Sequence, residues 1–89
     1  MTTAITTGGK RVHFPGSFAT DAAGVIIPPT AEELTRIAEA IEPRELLVFA
    51  TRLVRNTRKR RWQPPHAALN RSRLELARLC FDRALRDLV

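Results

Sequence analysis

From Thr30 onward, apolar residues recur at three- and four-residue intervals in three separate stretches, the period that gathers side chains on one side of an α-helix. In the first stretch Leu34, Ile37, Ala38 and Ile41 share one narrow stripe. Thr30 and Glu33 stand before it at capping-box spacing, the hydroxyl accepting from an orphan amide while the carboxylate reaches back. This predicts a helix over 31–41. Pro43 interrupts the pattern, and because proline is tolerated at a first helical position it marks the start of a second helix, "PRELLVFATRLVRNTRKR". Leu46, Leu47, Phe49, Ala50, Leu53 and Val54 fill one broad arc of that helix, with Arg52, Arg55 and Lys59 opposite beside Val48. Arg60 and Arg61 would return to the apolar arc, where an unpaired cation is strongly disfavoured, so the helix ends there or runs past the core.

"QPPHAALN" reads as a connection stiffened by two prolines, with Asn70 or Ser72 capping a third helix over 71–88. Leu74, Ala77, Cys80, Phe81, Ala84, Leu85 and Leu88 share its apolar arc. Leu76 and Leu79 fall off that arc, Leu79 among Glu75, Asp82, Arg83 and Arg86, which makes the two leucines a candidate protein interface or homodimer contact. No internal repeat or heptad run is evident.

Before Thr30 the pattern weakens. Residues 1–11, "MTTAITTGGKR", are small, polar and glycine-punctuated, and read as a flexible, disordered tail without packing contacts. Residues 12–29 read as an extended arm in which "RVHF" and "GVII" have the composition to form a short β-hairpin, closed by Pro28 and Pro29. The expected fold is mainly α: a small three-helix bundle over 30–89, preceded by the tail and the arm.

Eighty-nine residues suffice for one small core, and 44% hydrophobic content argues against disorder along the whole chain. No apolar run approaches the length needed to span a bilayer, and no secretory leader opens the chain. One cysteine, Cys80, excludes an internal disulfide framework; with the absence of a leader this sets the cytoplasm as the expected location.

Charge changes the picture most. Fifteen Lys and Arg, thirteen of them Arg, oppose nine acids for a net charge of +6. Between Glu45 and Glu75 stand twenty-nine residues without an acid and with eight cations: Arg52, Arg55, Arg58, Lys59, Arg60, Arg61, Arg71 and Arg73. Guanidinium keeps its charge at any biological pH and binds phosphate or carboxylate through two parallel hydrogen bonds. Trp62, directly after the densest part, is suited to stacking on an exposed base or to packing on the proline connection. A solvated helix end favoured by the macrodipole explains some of these cations, but not so many on successive turns.

Other chemistry is sparse. His13 and His66 have no cysteine or carboxylate at metal-ligand spacing, Cys80 sits on an apolar arc, and the glycines form no phosphate-binding loop. No catalytic residue, metal or cofactor is expected, and the chain does not read as an enzyme. The first reading is a small basic nucleic-acid-binding protein, regulatory in role, contacting DNA or RNA phosphates through the eight cations and Trp62. The rival is an interaction module, an inhibitor or adaptor using the same arginines against an acidic protein partner or blocking a partner's nucleic-acid site. Base reading by the third helix is disfavoured by the long proline-containing connection and by Glu75, Asp82 and Asp87.

Overall fold

The computed structural model describes residues 2–14, 22–24, 27–58 and 66–88. In chain order the elements are strands β1 (Thr2–Ile5) and β2 (Arg11–Phe14), helix α1 (Ala31–Ala40), a 3₁₀ turn (Pro43–Glu45), helix α2 (Leu46–Arg58) and helix α3 (His66–Asp87). The mainly α, three-helix arrangement with a β-hairpin is the one the periodicity predicts. The position of the hairpin is not.

β1 and β2 pair antiparallel, with Thr2 opposite Phe14 and Ile5 opposite Arg11. Residues expected to be a free tail therefore supply one strand, and "RVHF" pairs with "TTAI" rather than with "GVII". Val25 and Ile26 of the latter lie outside the described residues. The physical reason is the turn. Gly9 adopts φ +81°, a left-handed conformation that costs glycine little. Its amide donates to the Thr6 carbonyl at 2.9 Å, and the Lys10 amide donates to Thr6 Oγ1 at 3.1 Å. The β-branched residues on either side then find a partner within a few residues. Once formed, the hairpin docks through its backbone: the Thr7 amide donates to the Ala40 carbonyl at 3.0 Å and the Glu42 amide to the Ile5 carbonyl at 2.8 Å. Ala4 and Phe14, on one face of the hairpin, enter the core.

α1 starts as its cap predicts, with Thr30 Oγ1 accepting from the Glu33 amide at 3.2 Å. Leu34, Ala38 and Ile41 are buried and Ile37 packs against them. In α2 the buried residues Leu46, Phe49, Ala50 and Leu53 follow the predicted arc, while Leu47 at its margin is exposed and Val54 half-buried. Each fully buried Leu or Phe contributes about 1.5–3 kcal/mol, so these few side chains carry much of the fold. Pro43 opens the second helical segment as expected, but its first turn is 3₁₀.

α3 departs most from the periodicity. It begins at His66, five residues before the predicted start, directly after the last proline ring; alanine and leucine are strong helix formers and prolong the helix backwards through "HAALN". Asn70 and Ser72, expected as caps, lie buried inside it. Its core face runs through Leu69, Arg73, Leu76, Ala77 and Cys80, which turns Leu74, Phe81, Leu85 and Leu88 outward. α2 and α3 lie antiparallel, so the start of α2 meets the end of α3. Among the described residues no helix is long and apolar enough to cross a membrane.

Candidate functional site

The outer face of α2 follows from its own register. With Leu46, Phe49, Ala50 and Leu53 turned inward, a 100° advance per residue sends Arg52 and Arg55 to the far side with Val48. Both arginines are exposed. The docked hairpin adds to this face what sequence reading missed. Arg11 on β2, Arg44 in the 3₁₀ turn and Arg52 on α2 line one polar hollow of about 340 Å³, together with Thr3, Ile5, Glu45 and Val48. An adjoining shallow hollow is lined by Leu47, Val48, Thr51, Arg52 and Arg55. The contribution of Arg11 was not readable from the chain, because it depends on the hairpin folding back beside α2, whereas Arg44 reaches the hollow through the 3₁₀ turn that opens α2.

Electrostatically the face is uneven in a useful way. Among the described residues, none of Arg11, Arg52, Arg55 and Arg71 forms an ion pair. Arg44, almost fully exposed, lies 3.7 Å from Glu42, a contact of little energetic weight in water. The hollow thus brings three guanidinium groups against one carboxylate, Glu45.

Not all the expected cations join this face. Arg71 is exposed on α3. Arg73, expected on the surface, is only 4% exposed, and its Nη1 donates to Asn70 Oδ1 at 2.7 Å. The earlier start and rotated register of α3 place it on the buried side. Arg58 ends α2, and its side chain, with Lys59, Arg60, Arg61 and Trp62, lies outside the described residues. Of the expected interface leucines, Leu76 is fully buried in the core and offers no free surface, while Leu79 is half-buried and packs against that core.

The remaining arginines of α3 are committed within the fold. Arg78 pairs with Glu75, and its Nη1 bonds Asp82 at 3.0 Å. Arg86 bonds Glu39 across to α1 at 2.8 Å. Arg83, its side chain 12% exposed, donates through Nη1 to the carbonyls of Ala38, Glu39 and Ile41 at 2.7–2.9 Å. It closes the C-terminus of α1, whose last turn contains no basic residue of its own.

Among the described residues, groups with catalytic chemistry have no such setting. Burial pushes the Cys80 thiol up to about 11, outweighing the opposing effect of Arg83, so the thiolate nucleophile is scarce at neutral pH. His13 is exposed, and among the described residues no three His, Cys, Asp or Glu side chains converge as metal ligands. Comparison with known protein families, curated proteins and solved structures finds no match to this chain, so its surface is read from its own chemistry.

Proposed function

We propose that the chain binds nucleic acid, gripping phosphates with the arginines of α2 and the hairpin. The observation that carries this reading is the row of exposed guanidinium groups from Arg44 through Arg52 to Arg55, flanked by Arg11, in which Arg52 and Arg55 have no acidic partner among the described residues. The eleven residue steps from Arg44, in the 3₁₀ turn, to Arg55 extend roughly 17 Å, a length over which duplex DNA presents about ten phosphate charges. In the sequence the row leads directly into Arg58, Lys59, Arg60, Arg61 and Trp62, which belong to the same proposed surface. Contacts of this kind recognise backbone charge rather than base sequence. A regulatory role and the choice between DNA and RNA belong to the same proposal.

The test is a titration of the full chain against mixed-sequence duplex DNA, single strands and RNA at several salt concentrations. Affinity for at least one of these should fall steeply with salt. For duplex DNA, Arg52→Ala with Arg55→Ala should flatten the plot of log affinity against log salt by up to about 1.8, since each phosphate contact contributes about 0.9. Absence of binding at low salt, or an unchanged slope in the double variant, overturns the reading. Binding to acidic polypeptides but to no nucleic acid would assign the row to an acidic protein partner instead.

A further inference from the structure

A second surface lies around α2 from the arginines and has different chemistry. Leu74 and Phe81 on α3 and Leu88 directly after it stand at seven-residue intervals, with Leu85 beside the last two, and all four are exposed. Phe81 is 36%, Leu85 62% and Leu88 81% exposed. Against the start of α2 this stripe opens into a groove of about 600 Å³, with Leu46, Leu47 and Pro43 on one wall and Phe81, Ala84, Leu85 and Leu88 on the other. Among the described residues, four of the eight large exposed hydrophobic side chains line this groove, so they form a patch rather than the scattered leucines of an ordinary surface.

The charges at its lips select an occupant. Arg44 stands on the α2 lip and Asp87 on the α3 lip. On its outer side the stripe is bordered by the Glu75–Arg78–Asp82 ladder, which also carries both signs. A contact between identical surfaces about a two-fold axis requires self-complementarity: whatever one copy presents at position i must suit what the other presents at j, and the reverse. Apolar walls between one cationic and one anionic lip meet that condition for a two-fold axis running along the groove, which sets Arg44 of each copy against Asp87 of the other. We propose that two copies of the chain associate here, the α2–α3 pair of each completing a four-helix arrangement. The contact leaves Arg52 and Arg55 facing outward but shares Arg44 with the proposed phosphate-binding row, so Leu85→Lys, outside that row, is the variant that separates association from nucleic-acid binding.

Sedimentation of the full chain over a wide concentration range tests this. The wild-type mass should rise from about 10 kDa toward twice that value as concentration increases. Leu85→Lys, at a side chain outside the core, should remain at monomer mass while keeping its helical circular dichroism. Arg44→Glu and Asp87→Arg should each weaken association, and the two together should restore it by exchanging the lips. A wild-type chain that stays monomeric throughout, a Leu85→Lys chain that dimerises like wild type, or a folded double exchange that fails to recover association overturns the proposal.

Discussion

α2 and α3 both combine leucines with arginines, yet the fold uses the two sets in opposite ways. Arg52 and Arg55 of α2 make no ion pair among the described residues, whereas Arg78, Arg83 and Arg86 of α3 are each engaged with carboxylates, with the carbonyls ending α1, or with both. The leucines differ in parallel. In α2 the buried set follows the apolar periodicity, while in α3 Leu76 is inside and Phe81, Leu85 and Leu88 are outside. A cation or a leucine thus has no role by virtue of its type; its role is set by the element packed against its face. Only cations left uncompensated by that packing remain to recognise something else.

The sharpest break between the two readings of α3 is Leu76→Ala against Phe81→Ala. Leu76 is fully buried, and its truncation should cost about 2–5 kcal/mol through lost burial and a residual cavity. In dilute solution, where association does not contribute, Phe81→Ala should cost less than about half as much. Denaturant melts of both variants measure the ratio, and a reversed order would restore the register that periodicity alone predicts.

The next largest effect separates the arginines. Arg83→Ala removes a nearly buried guanidinium from three backbone carbonyls and leaves the end of α1 uncapped. The expected loss is about 2–3 kcal/mol, which for a domain of this size lowers the melting temperature by roughly 10 °C or more. Arg52→Ala, by contrast, should change stability by no more than about 0.5 kcal/mol. Equal melting temperatures for the two variants would erase the distinction between structural and available cations.

The smallest effect concerns Glu39. The hydrogen bond from Arg86, reinforced by the charges of Arg86 and Arg83, holds its carboxyl below the ordinary carboxylate range. A folded-state value below the unfolded one contributes stability that is fully present above the unfolded value and is lost as pH falls through the folded value. The pair is largely exposed, so the contribution is small and screened by salt. Melts of wild type and Glu39→Gln should therefore differ slightly at neutral pH and converge in acid; a difference that grows on acidification would reverse the sign.

Much of the helical architecture was legible because its causes are local. Thr30 and Glu33 start α1, Pro43 opens the next helical segment, and the inward residues of α2 are grouped on one arc. α3 was harder to read because Leu69, Leu74, Leu76, Leu79, Leu85 and Leu88 are distributed around much of its circumference, with Asn70, Ser72 and Arg73 on the inward side. Periodicity then cannot choose a face. Of the candidate site, Arg52 and Arg55 were identifiable from the chain, Arg44 adjoins them through the turn that opens α2, and Arg11 joins them only once the hairpin is docked.

By itself the sequence determined the helical class, the capped start of α1, the amphipathic face of α2 and the acid-free stretch from residue 46 to residue 74, all properties of neighbours within a turn or two. Tertiary structure decided where the hairpin docks, the inward face of α3, and which arginines stay available. Each of these depends on contacts between residues far apart in the chain: Arg83 reaches the end of α1 across forty-two to forty-five positions, and no local propensity encodes that meeting. Burial and charge compensation are properties of the packed surface, so they are assigned only when the elements come together.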